Sequence, residues 1–197
     1  MEHDLLAALV TFAFATSITP GPNNLMLMAS GANFGFRRTV PHMLGISLGH
    51  ALMVLLVGLG IAGLFTAFPA TKTALKIASI LYMLWLAWKV ANSAPPSEGR
   101  SGGTPMTFVQ AAAFQWVNPK AWYMAVFAVT NYAPETTLAA CAIVAIVFAC
   151  TNLPSVSVWA WMGQELRRWL TNPARLRAFN WTMAVLLVAS LIPVLQL

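Results

Sequence analysis

Near the middle of the first apolar run, which is too long for one straight helical span, stand Thr19-Pro20-Gly21-Pro22-Asn23-Asn24. Two prolines remove two backbone donors and free the carbonyls near Thr16 and Ile18, while Gly21 permits backbone angles that a helix cannot hold, so the helix must break here. A helix restarting near Pro22 would aim the free backbone N–H groups of Asn23, Asn24 and Leu25 at the break, with a partial positive charge suited to a carboxylate. The plainer alternative is a proline kink that only shapes packing.

A facing set lies in the fourth apolar segment: Gln110, Gln115, Asn118, Pro119 and Lys120. Asn118 can cap a helix whose first turn opens with Pro119, which already lacks the donor that would go unsatisfied there. Lys120 is about twelve residues from either end of its segment, too deep to reach an interface easily, and a charge there costs roughly 2.5 to 3.5 kcal/mol. It is either a counter-charge for a substrate carboxylate, a residue whose protonation couples to transport, or a structural lysine capping the freed carbonyls of the other broken helix. His50 can titrate near neutral pH and is the second candidate for proton coupling, against the alternative of a helix-to-helix hydrogen bond. Asn152, with Pro154 and Ser155, either lines the same cavity or merely relaxes its helix. No residues here have metal-ligand spacing, and nothing calls for a cofactor.

Composition decides what must position these groups. Of 197 residues 59% are hydrophobic and 8% charged, against roughly 25% charged in a soluble domain, so lipid is the solvent. About 20 apolar residues cross a bilayer as a helix, and apolar runs fall at 5–35, 40–66, 70–91, 107–132, 136–163 and 175–196. The expectation is an all-α membrane protein of six transmembrane helices, the first and fourth broken by proline. The acidic start, Met1 to Asp4, and the length of the apolar run beyond it do not suit a cleaved signal peptide.

A net charge of +6 would suggest nucleic acid in a soluble protein, but here topology accounts for it. Arg37, Arg38, Lys89, Arg100, Arg167, Arg168, Arg175 and Arg177 fall in alternate connections, and only Lys72 and Lys76, with Glu2, Asp4 and Glu135, fall in the others. The eight basic residues mark the cytoplasmic side, where they could also meet anionic headgroups, and both termini lie outside. The one long polar stretch, Asn92 to Pro105 with Pro95-Pro96, Gly99 and Gly102-Gly103, divides the chain into repeat one at 1–91, a cytoplasmic linker at 92–106 and repeat two at 107–197. Pro20 and Pro119 differ by 99 positions, and that shift carries 40–66 to 139–165 and 70–91 to 169–190, on the later segments. Three spans per half make the halves inverted repeats of one transporter domain.

Gly45 and Gly49, extended by Gly58, Gly60 and Gly63, have the spacing that lets helices approach closely, and Ala142, Ala145 and Ala149 form a similar stripe. Trp85, Trp88, Trp159 and Trp161 suit an interfacial belt, with an aromatic cage as the sharper alternative. Cys141 and Cys150 are nine positions apart, on opposite faces of one helix, and read as small core residues.

A secondary transporter accounts for the breaks, the deep lysine and the paired halves together. Its rival is a membrane-embedded enzyme or a thiol-redox membrane protein. Proteolysis wants a paired nucleophile and base or paired aspartates, yet no segment centre holds an acid and His50 has no evident Ser or Cys partner. Redox chemistry wants cysteines in both halves or a C-x-x-C. With no phosphate-binding G-x-x-x-x-G-K loop, energy must come from gradients or a partner.

The whole chain resembles the lysine-exporter superfamily in its threonine and homoserine exporter branch. The resemblance rests on Thr19-Pro20-Gly21-Pro22 with Asn23-Asn24, Gly35-Phe36-Arg37-Arg38, Gly45-Ile46-Ser47-Leu48-Gly49, Tyr82 to Lys89, and Phe114-Gln115-Trp116-Val117-Asn118-Pro119-Lys120-Ala121. Within that family the chain resembles the cysteine and O-acetylserine exporters most. The resemblance implies export of small amino acids or derivatives across a bacterial inner membrane by proton exchange, and it supplies the direction. The implied partners are an amino acid, protons and membrane lipid; a homo-oligomer is left open.

Overall fold

The computed structural model describes residues 3–93, 103–133, 135 and 137–192, and among these every regular element is helical. The first apolar run is two helices, α1 (His3–Ile18) and α2 (Pro22–Phe34), which meet at an angle of 53°. Gly35 then turns the chain directly into α3 (Phe36–Gly58), holding φ +82°, a value that favours glycine. Its N–H bonds Gly31 O at 2.9 Å, and the next N–H, of Phe36, is taken by Gln164 Oε1 at 2.7 Å. Arg37 and Arg38 therefore occupy the first turn of α3 where a connecting loop was expected.

A 3-10 turn at Ile61–Gly63 and a short α4 (Leu64–Ala67) lead to α5 (Ala70–Ala91), which coincides with the third apolar run. Thr107 and Gln110 form a reciprocal capping box that starts α6 (Phe108–Phe114). After a 3-10 turn at Gln115–Val117 come α7 (Pro119–Tyr132), α8 (Leu138–Arg167) and α9 (Pro173–Ala189), opened by the side-chain caps Asn118, Thr137 and Asn172. Of the expected linker at 92–106, residues 94–102 lie outside the described residues, with Pro95, Pro96, Gly99, Arg100 and Gly102; so do Glu2 and the end of the sixth segment.

Three helices, α3, α5 and α8, are long and apolar enough to cross a membrane, and the bent α1–α2 pair makes a fourth. Large apolar side chains also stand on the outside, among them Leu81, Ile146 and Val185 at 61–63% exposure, on a scale that water would not tolerate and lipid requires. The chain is a multi-pass membrane protein.

Inside, a polar layer separates two apolar clusters. Along α3, Met43 and Ile46 belong to one cluster and Met53 and Val54 to the other, with buried Ser47 and His50 between them. Along α8, Phe148 and Val156 flank buried Asn152 and Ser155 in the same way. Small residues bring the backbones together around this layer: Gly31 on α2 faces the Ala160 carbonyl of α8, and Gly163 faces the Met28 carbonyl in return. Gly45 and Gly49 lie against Phe108 and Ala112 of α6, and Gly58 against Cys141, as the spacing predicts. Gly60 and Gly63 face open space, because α3 ends at Gly58 and the packed face ends with it. Cys150 is exposed, so only Cys141 is a core residue.

A Cβ on Gly163 would be driven into the backbone of Met28, whereas one on Gly63, in ordinary helical geometry, would meet nothing. Gly163→Val is expected to cost about 1–3 kcal/mol through overpacking, read as a lower unfolding temperature in detergent, with Gly63→Ala indistinguishable from wild type.

Candidate functional site

Five successive carbonyls, from Thr16 to Pro20, lose their helical partners where α1 ends, and each finds a side-chain donor. Thr19 Oγ1 donates to Thr16 O at 2.9 Å. Asn24 Nδ2 donates to Ser17 O and to Thr19 O, both at 2.8 Å. Trp159 Nε1, from α8, donates to Ile18 O at 2.9 Å. Lys120 Nζ, from α7, donates to Thr19 O and Thr19 Oγ1 at 2.9 Å and to Pro20 O at 3.3 Å. The carbonyl-capping role for Lys120 is thus realised, and its three donors are all in use in this state.

Gly21 is fully extended, at φ 179° and ψ 177°, a conformation open to any residue. A Cβ there would stand 2.9 Å from Lys120 Cδ and 3.1 Å from Nζ, so the lysine side chain passes directly over this position and would have to shift to admit one. No side chain caps the start of α2. Leu25 N–H bonds Gly21 O at 3.0 Å, so the unclaimed donors are those of Asn23 and Asn24, without the third that the sequence suggested.

The second break is closed where the first is open. Asn118 Oδ1 accepts from the Lys120 backbone N–H at 3.2 Å, Pro119 has no donor to lose, and the N–H groups of Ala121 and Trp122 return to Asn118 O. Gln115 joins the two breaks: its amide and that of Asn23 bond reciprocally at 2.8 and 3.1 Å. Gln110 lies apart, in the capping box of α6.

Between the breaks lies a small, partly open cavity of about 20 Å³, room for about one water molecule in this state. Asn23, Asn24, His50, Asn118, Lys120 and Asn152 line it. His50 is buried; its Nε2 is 3.3 Å from Ala121 O, its ring stands edge-on to Phe148, and its Nδ1 has no partner. Asn152 Oδ1 accepts from Ser47 Oγ at 2.9 Å and its Nδ2 donates to Ser17 Oγ at 3.2 Å, tying α8 to α3 and α1 beneath the break. The sequence-derived residues from both halves are therefore brought together. Thr19, Pro20, Pro22, Gln115 and Pro119 are at the breaks themselves, outside the cavity lining.

Three participants, Trp159, Ser47 and Ser17, were not foreseen, nor was a buried histidine of α3 that lies outside the cavity lining. Trp159 was assigned to an interfacial belt because its segment was ended at 163; α8 runs on to Arg167 and carries the indole inward to the break. Ser47 is one helical turn from His50 on the same face, a signal available in the sequence. Ser17 gave no signal beyond its place before the break. His42 is buried in α3 with neither ring nitrogen partnered, and nothing in its neighbours in sequence marked it.

The LysE type translocator family matches residues 14–190. A cysteine/O-acetylserine efflux protein of Escherichia coli (strain K12) is 33% identical over 191 residues, covering 95% of this chain and 96% of its own length. Proteins of the same name from Shigella sonnei (strain Ss046) and Escherichia coli O139:H28 (strain E24377A / ETEC) are 33% and 32% identical over the same 191 residues. No solved structure matches the chain.

Removing one carbonyl donor from the break leaves an unsatisfied buried group. Trp159→Phe should therefore lower stability in detergent by about 1–3 kcal/mol, while Trp161→Phe, whose indole is 54% exposed, should leave the unfolding temperature unchanged.

Proposed function

The chain belongs to the LysE type translocator family, and from that premise we propose that it exports small amino acids or their derivatives from the bacterial cytoplasm across the inner membrane, in exchange for protons. Translocation as the family's work retires the membrane-enzyme and thiol-redox readings. The efflux relatives, similar over 95% of the chain, support the substrate class and the direction.

The observation that carries the proposed site is the pair of unclaimed N–H groups of Asn23 and Asn24 at the start of α2, beside a cavity lined by Lys120. A substrate α-carboxylate would dock on those donors, with the Lys120 ammonium as counter-charge and Gln115, Asn118 and Asn152 holding the walls. Thr19, Pro20, Gly21, Pro22 and Pro119 supply broken backbone in place of helix. Proton coupling would use His50, Lys120 or the substrate's own amine.

We read the architecture as six spans in two inverted repeats, 1–91 and 107–197, joined by a cytoplasmic linker at 92–106. The helix pairings support this. The first half's broken helix, α1 and α2, packs on α8, and the second half's broken helix, α6 and α7, packs on α3; α3 packs on α8 and α5 on α9. Exchanging the halves leaves these pairings unchanged. Arg37 and Arg38 at the start of α3, Lys89 at the end of α5, and Arg167 to Arg177 across the α8–α9 junction then share one side, which charge bias makes cytoplasmic, with both termini outside. Rocking of one half against the other would expose the cavity to each side in turn.

Reconstitution into liposomes with a panel of amino acids under an imposed pH gradient tests the reading. Lys120→Met should weaken apparent affinity about tenfold or more, the worth of a charge-assisted hydrogen bond, and wild-type transport in that variant would sink the site. If His50 carries the proton, His50→Gln should keep substrate-for-substrate counterflow and lose its response to the gradient.

A further inference from the structure

In an unbroken helix the N–H groups of Asn23 and Asn24 would bond the carbonyls of Thr19 and Pro20. The break splits those two hydrogen bonds, leaving two donors and two acceptors within six residues of one another. The donors are unclaimed. The acceptors, together with Thr19 Oγ1, hold an ammonium group, that of Lys120, at 2.9, 3.3 and 2.9 Å. All three ligands are neutral oxygens. Asp4, Glu135 and Glu165 are the acidic residues among those described, and none lines the cavity. Thr19 and Pro20 are exposed residues bordering the cavity-lining Gly21.

We propose that the oxygens of Thr19 and Pro20 are the subsite for the α-ammonium group of a zwitterionic substrate, and that Lys120 is its resident occupant until substrate arrives. The inference rests on the carboxylate docking at Asn23 and Asn24 proposed above, and it adds the other half of the ligand. Two ammonium groups cannot share one set of three oxygens, so the incoming one displaces Lys120. The displaced charge needs a partner, and the substrate carboxylate is the anion that comes with the exchange. A zwitterion thus replaces both interactions at once. A ligand with only an amine strands Lys120, and a ligand with only a carboxylate gains nothing from the oxygens. The Lys120 side chain is placed for such a move, because it runs over the bare Cα of Gly21 with the cavity on its flank.

The test is calorimetric binding to the purified full-length protein in detergent, with three probes: cysteine, cysteine methyl ester, which has an amine and no carboxylate, and N-acetylcysteine, which has a carboxylate and no amine. Lys120→Gln is the variant, since its amide can still donate to the freed carbonyls and keep the fold. Losing the resident cation should make the methyl ester bind about tenfold tighter to the variant than to wild type. Methyl ester affinity equal to or below that of wild type, undetectable binding to both included, overturns the proposal. N-acetylcysteine reports on the carboxylate site separately: it should bind the variant more weakly than wild type, and unchanged binding would count against that earlier reading alone.

Discussion

A carbonyl oxygen freed inside hydrocarbon has no water to turn to, and the break between α1 and α2 frees five in succession. Leaving such groups bare costs about 1–3 kcal/mol each, so a break of this size persists only where other helices answer it. The answer comes from three directions. Asn24 reaches back from α2, Trp159 comes in from α8, and Lys120 comes in from α7. Those bonds fix the relative positions of the three helices. A buried polar layer accompanies the break: Ser17, Ser47 and Asn152 bond one another between the apolar clusters, and buried Gln115 bonds Asn23 at the start of α2.

This arrangement also explains how a lysine can sit among the helices of a membrane protein with no acid among the described residues lining its cavity. The ammonium is solvated by backbone oxygens, a service that an intact helix cannot offer, since its carbonyls are already spoken for. The broken helix and the half-buried charge thus stabilise each other. Removing Lys120 leaves Pro20 O without its donor and Thr19 O with Asn24 alone, and repairing the break would cost Lys120 its solvation.

How much of this the sequence discloses depends on how far apart the partners lie along the chain. The break itself is local chemistry, written in Pro20, Gly21 and Pro22, and so is the Asn118–Pro119 cap; α5 at 70–91 follows from its own apolar run. Lys120 announces itself by depth. The partners do not, because Trp159 reaches Ile18 across 141 positions and Asn23 reaches Gln115 across 92, separations on which local pattern is silent. Gly21 does hold a backbone angle outside the helical range, as the sequence suggests, and what local pattern does not disclose is the side chain from α7 that passes over it. The 3-10 turn at Gln115–Val117 runs directly into the break expected at Asn118–Pro119, where the residue before proline is held in extended geometry.

The two breaks share a plan and differ in one respect that bears on function. At the second, Asn118 and Pro119 leave the start of α7 with its donors capped or absent. At the first, Gly21 offers no side chain, and the donors of Asn23 and Asn24 stay open. A pair of perfectly equivalent halves would present two equivalent sites, or none at the axis between them. Here one half leaves its helix terminus uncapped, and the other spends its terminus on its own cap and contributes the lysine that crosses over. The asymmetry requires no difference in helix count or packing, only Asn in place of Gly at one cap position and Lys two residues beyond it. On the proposed reading, a symmetric scaffold suited to rocking thereby acquires a single polar binding site, and a substrate that engages both the open donors and the carbonyls beside them must loosen the bonds by which Lys120 ties the halves together.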